Sequence, residues 1–437
     1  MRHIFSDLSK FRRDPLTFFL ERGINAHEPL VKLHVGPSPV YLVTDIDLAK
    51  EILRSDETLI DKGRLIYKMR EVLGRSSLTI SGTAHKERRA AIHKHMVDGL
   101  SSHYIPQICA TIREFAAQIT KKEIIDAPPL MAHLAIRVIS TILFGHGALS
   151  QADEGAIVSA VHLTEDDLAE EIFRALPHTP WSYIRKKRKL GKARQIMSSV
   201  VERVEDLAQD DSLITAFQNL GLQGKDLRDE ILLMFLAGHH TTGTAATWLL
   251  YHLGTQPKLA HSIAKEASQI VDASGELTPQ KIKNAHISRS FAQEVLRLYP
   301  SSYWMSREVK RPTSLWGHRL KTGTSLIISP WHLHQDPKYW ERPQLFDITR
   351  DHNKNPAYIP FGYGGRACVG LAVALLELQL VALEFASTFD IEVVSKVPAD
   401  PPKPSVTLVP SEVKLRMTPK RAYELHTVCD EKEVALL

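Results

Sequence analysis

The chain has 437 residues, enough for a large core and, at ~150 residues each, for roughly three ordinary domains. Its 43% hydrophobic and 24% charged content excludes a disordered or fibrous chain, and 55 basic against 50 acidic residues leave a net charge of +5. Only Arg185-Lys186-Lys187-Arg188-Lys189 concentrates that charge, and such a run is more often a solvated helix end than a nucleic-acid surface. The three cysteines, Cys109, Cys368 and Cys429, are too few and too far apart for a disulfide framework or a cysteine-rich zinc site. Lys10, Arg12, Arg13 and Asp14 fall where a secretory signal is apolar, so the expected location is cytoplasmic. The apolar run Ile231 to Gly238 is far short of the ~20 residues of a bilayer span, and no span is expected.

In chain order, Val31 to Val35 and Val40 to Val43 read as two strands around Gly36-Pro37-Ser38-Pro39, a hairpin closed by turn residues. From Asp45 to about Ala273 the pattern is amphipathic helix, broken at Pro106, Pro128-Pro129, Pro177 to Pro180 and Gly221 to Gly224. Within it, Asp226 to His252 is one long, mostly apolar helix. Leu315 to Ser329 reads as strand with turns at Gly317-His318 and Lys321-Thr322-Gly323, and is expected to join the N-terminal hairpin in one small sheet. An apolar helix from about Leu371 to Phe389 precedes short strands between Glu392 and Met417. The expected class is mainly α with small β-sheets (α+β): one domain over 1–437, a β-rich subregion at about 30–45, 315–329 and 392–417, and a tail at 419–437 without an assigned role.

The most informative segment is Phe361-Gly362-Tyr363-Gly364-Gly365-Arg366-Ala367-Cys368-Val369-Gly370, placed between Pro360 and the apolar helix. Its glycines let the backbone bend around the sulfur and aim N–H donors at it, and the helix N-terminus that follows favours a thiolate. A buried structural cysteine in a glycine turn is the plain alternative. Phe361, Gly364, Arg366, Cys368 and Gly370 match F-x-x-G-x-R-x-C-x-G at every fixed position, and a chance match arises less than about once in a million start positions. On this motif the chain resembles the cytochrome P450 family.

The resemblance implies a P450 fold, with haem b (iron protoporphyrin IX) held between the long helix and the helix after the cysteine loop. It also implies Cys368 as the thiolate ligand of the iron. Glu294 and Arg297, in Glu294-Val295-Leu296-Arg297, resemble the E-x-x-R pair that holds the loop in place. The arginine that completes that network in the family is Leu345 here, with Arg342 and Arg350 as possible substitutes. Ala237-Gly238-His239-His240-Thr241-Thr242 resembles the oxygen-binding helix: Thr241 is expected to bond back to the carbonyl of Ala237, and His240 stands where the family usually has an acid. His240 is open between a proton relay and a salt-bridge or substrate residue. A plain small-residue helix crossing through Gly238, Gly243 and Ala245 is the alternative for the whole stretch.

His85, Arg89 and Arg307 resemble the residues that hold the haem propionates, beside Arg366. By the same analogy the substrate pocket includes Met234, Ala237, Trp304 and Val406, which suits a lipophilic small molecule such as a terpenoid or fatty acid; Arg64, Lys68, Arg70 and Arg75 leave room for a carboxylate on it. The implied activity is dioxygen-dependent monooxygenation. One haem domain uses up the chain, so electrons are expected from a separate ferredoxin and its reductase, or a flavodoxin-like donor, docking near Arg366 or Lys354. A peroxide-driven peroxygenase and a non-catalytic haem-thiolate sensor or carrier remain the alternatives.

Overall fold

The computed structural model describes residues 6–121, 123–172, 179–204, 212–270, 277–395, 403–404, 407–410 and 412–420. The chain opens with helices α1 (Leu8–Arg13) and α2 (Pro15–Gly23), strands β1 (Leu30–Leu33) and β2 (Val40–Val43), helix α3 (Ile46–Arg54) and strand β3 (Ile60–Lys62). Then come α4 (Arg64–Lys68), α5 (Arg70–Leu73), α6 (Gly82–Ser102), α7 (Tyr104–Ala117), β4 (Glu123–Asp126), α8 (Ala127–Phe144), α9 (Gln151–Ile172), α10 (Pro180–Val204), α11 (Leu213–Asn219) and α12 (Gly224–Thr255). After α13 (Pro257–Ile270), α14 (Pro279–Asn284) and α15 (His286–Leu298) lie β5 (Met305–Val309), β6 (Thr313–Leu315), β7 (His318–Leu320), β8 (Ser325–Ile328) and α16 (Pro330–Leu333). The last elements are α17 (Leu371–Thr388), β9 (Phe389–Val393), β10 (Lys403–Pro404), β11 (Leu408–Val409) and β12 (Lys414–Pro419).

The break read at Pro128-Pro129 proves to be a helix start, a place prolines take elsewhere in the chain too. Pro15, Pro128, Pro279 and Pro330 sit in the first helical positions, where a missing N–H costs nothing. At α14 and α16 the preceding Thr278 and Ser329 side chains accept from Lys281 N and His332 N, satisfying free donors of the first turn.

The expected sheet is only partly as read. Ser325–Ile328 does join the hairpin, pairing parallel with β2, but β6 and β7 form a separate two-stranded ribbon turned by Trp316 and Gly317, both at positive φ. The main sheet, in order β1-β2-β8-β5-β3, takes in two strands the pattern did not reveal. One of them, β3, lies inside the stretch read as helix; so does β4, which pairs with β12 beside β9. Each is only three or four residues long, too short to show a period.

The core centres on α12, packed against α8 and α17. Gly243 makes the α8 crossing possible: a Cβ there would lie 2.9 Å from Ala132 Cα, and one at Gly238 would lie 3.2 Å from Ile139 Cγ1. Two helices, Ala127–Phe144 and Leu371–Thr388, are long and apolar enough to cross a bilayer, and 67% of each is buried inside the fold. The basic run lies on α10, with Lys186 buried between Glu71 and Asp167 and Arg185, Lys187 and Arg188 exposed. Cys429 and nearly all of the 419–437 tail fall outside the described residues.

Candidate active site

The cysteine loop is a tight turn stapled to its surroundings. Cys368 N donates to Phe361 O at 2.8 Å and Ala367 N to Gly364 O at 3.1 Å, closing the loop around a single 3-10 turn at Gly364–Arg366. Two glycines carry the bend: Gly362 and Gly364 have φ of 70° and 74°. A Cβ at Gly364 would also meet Leu53 O at 2.4 Å, so this position is closed to other residues twice over. Gly370 does something different, capping α17 at φ −87° while its N–H donates to the Cys368 sulfur.

That sulfur is solvent-accessible yet deep. Burial pushes the Cys368 thiol pKa up, partly offset by the Gly370 N–H and the Arg89 charge, so protein packs around a residue that is nevertheless exposed. Accessible atoms at depth mark the wall of a cleft. Leu371 at the start of α17 is likewise 40% exposed, and Ala237 is exposed on α12 although residues 229–236 and 242–250 of that helix are buried. Cys109, by contrast, lies against the core with its thiol pushed up to about 12, an inert side chain.

Five basic side chains converge beside the loop. Arg366 donates to Glu57 Oε1 at 2.6 Å and to Ile80 O at 3.0 Å. Burial and the Arg366 charge lower the pKa of His85 to about 4 and of Arg307 to about 10. Arg89 is lowered by burial and raised by Cys368, which places it toward the sulfur. Its neighbour Arg88 points elsewhere, tying α6 to Glu230 of α12 at 2.7 Å. The fifth cation, Lys62 on β3, was missed because its strand was read as helix; it is buried, bonds to Ile80 O, and is lowered to about 8 by burial and Arg366. Glu57 and Asp61 are the acidic groups acting on this cluster, so positive charge is in excess. An excess of cations beside an accessible thiol fits a metalloporphyrin with two carboxylates.

Behind the loop, Glu294 and Arg297 form a bidentate pair at 2.8 Å and 2.8 Å, both side chains 0% exposed. Arg297 also donates to His334 O, Pro343 O and Leu345 O. Leu345 thus enters through its carbonyl, its side chain 52% exposed. The third partner of Glu294 is His352 at 2.7 Å, which the sequence did not suggest, with Arg350 at 3.4 Å; Arg342 pairs with Glu341 on the surface. Buried His334, its pKa down to about 3, accepts from Ile359 N and so donates from Nδ1 to Arg297 O, linking the pair to the loop.

On α12 the helix crossing given as the alternative and the expected Thr241 bond to Ala237 are both present. Gly238 and Gly243 make the α8 crossing, while Thr241 Oγ1 donates to Ala237 O at 2.6 Å and Thr241 O accepts from Ser301 Oγ at 2.7 Å. His240 turns toward α9 and the C-terminal segment: Nε2 lies 3.4 Å from Glu165 Oε2 and Nδ1 2.7 Å from Thr407 Oγ1. Of the pocket residues, Met234 is 6% exposed in the core, Trp304 packs edge-on against Phe11, and Val406 lies outside the described residues.

Compared with known proteins, the chain matches the family described as Cytochrome P450 over residues 4–417. It is 27% identical over 398 residues to cyclooctat-9-en-7-ol 5-monooxygenase of Streptomyces melanosporofaciens, covering 86% of this chain and 84% of that protein. It is 26% identical to cyclooctatin synthase of the same organism, covering 93% and 92%. Human cytochrome P450 4V2 is 26% identical, covering 81% and 75%. With that match spanning nearly its whole length, the chain belongs to the cytochrome P450 family of monooxygenases.

Proposed function

We propose that the protein is a haem b monooxygenase that takes electrons from a separate ferredoxin with its reductase, or from a flavodoxin-like donor, and hydroxylates a terpenoid. The accessible sulfur of Cys368 beside an excess of buried cations is the observation that carries the haem assignment. Cys368 Sγ would hold the iron, and Lys62, Arg89, Arg307 and Arg366, with His85, would hold the two carboxylates. When bound, such a group supplies dioxygen activation at a thiolate-ligated iron. The chain itself positions the substrate against α12, excludes bulk water, and presents the Thr241 hydroxyl and the exposed Ala237 edge to the cleft. The terpenoid reading rests on two relatives, a cyclooctat-9-en-7-ol 5-monooxygenase and a cyclooctatin synthase.

The reduced carbon monoxide difference spectrum of the purified protein and of Cys368→Ala tests the ligand. A thiolate-type Soret band in the first, lost in the second, is expected; its absence from the intact protein overturns the reading. Polycyclic terpene alcohols and fatty acids are then titrated against the ferric spectrum, and saturation by fatty acids alone overturns the substrate class. Product made with hydrogen peroxide but not with a reductase system replaces the electron-donor part with a peroxygenase.

A further inference from the structure

Away from the cysteine side, titratable groups gather where α9 crosses α12. His162 and Glu165 share one face of α9 at i and i+3. Glu165 is 9% exposed, with its two oxygens between adjacent imidazoles: Oε1 is 3.0 Å from His239 Nδ1, and Oε2 is 3.4 Å from His240 Nε2. His162, exposed, has its ring centroid 6.0 Å from that of His239. On the far side of His240, Nδ1 meets Thr407 Oγ1 at 2.7 Å, which meets Thr244 Oγ1 at 3.0 Å. The cluster therefore runs from a surface imidazole to the helical turn that contains Thr241.

Its chemistry suits proton transfer better than static support. A carboxylate shared by two imidazoles exchanges protons at little cost, and an imidazole passes one through by accepting at one ring nitrogen and releasing from the other. The groups acting on His240 are Glu165 and His162 from α9 and His239 from α12. Burial lowers its pKa, Glu165 raises it, and the two histidines lower it further. The His240 side chain keeps 19% exposure, against 4% for His239, so of the two imidazoles on Glu165 His240 is the one that water reaches.

We propose that Glu165 is a positioning acid that loads His240 with protons for the oxygen-binding turn of α12. The relay is complete only while α9 lies on α12, because the carboxylate is carried by α9. A proton taken up from solvent at the Glu165 carboxylate passes from Oε2 to His240 Nε2 as the Nδ1 proton passes to Thr407 Oγ1. The Thr407 hydroxyl proton passes to Thr244 Oγ1 as Thr244 gives up its own to a water, and Glu165 is left as the carboxylate it was at the start. The inference rests on the monooxygenase reading.

Two measurements on the haem-loaded protein test it. In 1H–15N correlation spectra of the histidine rings between pH 5 and 9, Glu165→Gln should lower the His240 pKa, since a nearby negative charge is lost. With a ferredoxin, its reductase and geranylgeraniol, hydrogen peroxide released per NADPH should rise about tenfold in Glu165→Gln. It should return toward wild type in Glu165→His/His240→Glu, which restores the pair with its charges exchanged. Unchanged ring titration, unchanged peroxide yield, or no rescue by the exchanged pair in an active wild-type background overturns the relay alone. A wild type that binds haem but consumes no NADPH overturns the monooxygenase reading, and the relay with it.

Discussion

Two charged clusters flank the cysteine loop, and they are balanced in opposite ways. Around Glu294, all five N–H donors of Arg297 are used, and the carboxylate accepts from Arg297, His352 and Asp347 N. Burial pushes the Glu294 pKa up, but these bonds outweigh it and hold it below the ordinary value. Around Arg366 the reverse holds: Lys62, His85 and Arg307 are all driven toward their neutral forms by burial and by the Arg366 charge. A saturated buried network fixes a shape, whereas an unsaturated one of a single sign is preorganised for a ligand of the other sign.

The largest expected effect follows from breaking the saturated cluster. Glu294→Ala leaves the Arg297 guanidinium buried without its counter-charge, which costs about 3–5 kcal/mol. Urea denaturation should show that loss even without haem, and a loss under about 1 kcal/mol, the size of a surface pair, would refute the structural role. Cys368→Ser should behave in the contrary manner. The side chain is accessible and the serine nearly isosteric, so haem-free stability should stay within about 0.5 kcal/mol while the thiolate-type spectrum disappears. A large stability loss there would show that the loop depends on the sulfur for its own folding.

How much of this was legible in the sequence follows the same division. The decapeptide is local, so its turn glycines, Cys368 and Arg366 could be read off directly, and the long periods of α12 and α17 placed their ends within about three residues. The Thr241 to Ala237 bond is an i to i−4 contact and was equally readable. Partners distant in sequence and without a motif were not: His352 lies 58 residues from Glu294, and Glu165 is brought to His240 only by the crossing of two helices. Lys62 was hidden by a three-residue strand whose register depends wholly on β5. Leu345 shows the opposite limit, since its side chain suggested a gap in a network that it joins through its backbone.

The cation cluster can be tested by pH. Lys62 has a folded pKa of about 8, depressed from 10.5, so between those values the unfolded chain binds more protons and haem-free stability rises with pH. His85 is depressed from 6.5 to about 4, so the same imbalance makes stability fall as pH drops from 6.5 toward 4. Two carboxylates placed among these groups favour their charged forms and raise both pKa values back. Thermal unfolding against pH should therefore slope in both windows for the haem-free protein and flatten on loading. Lys62→Met should raise the haem-free melting temperature by a few degrees, an effect on the order of 1 kcal/mol, and weaken haem retention. Equal pH profiles with and without haem would mean that the carboxylates bind elsewhere.

The smallest effect is expected where the sequence pointed to the largest defect. Leu345→Arg restores the residue that the family pattern places there, yet the acceptors it would seek are already occupied: Glu294 Oε1 by Arg297 and Asp347 N, and Oε2 by Arg297 and His352. Arg350, its side chain 11% exposed, stands 3.4 Å from Glu294 Oε1 and already covers that side. A new guanidinium at position 345 should stay in solvent, where the leucine is now, and change the urea midpoint by less than the equivalent of about 0.5 kcal/mol. Arg350→Leu should cost more than Leu345→Arg gains, because it strips a cation from beside a buried carboxylate and leaves the Leu345 carbonyl with Arg297 as its remaining donor. If Leu345→Arg instead stabilises the protein by about 1.5 kcal/mol or more, the size of a charge-assisted hydrogen bond, then Glu294 has unused capacity and the saturated cluster is less complete than its geometry shows.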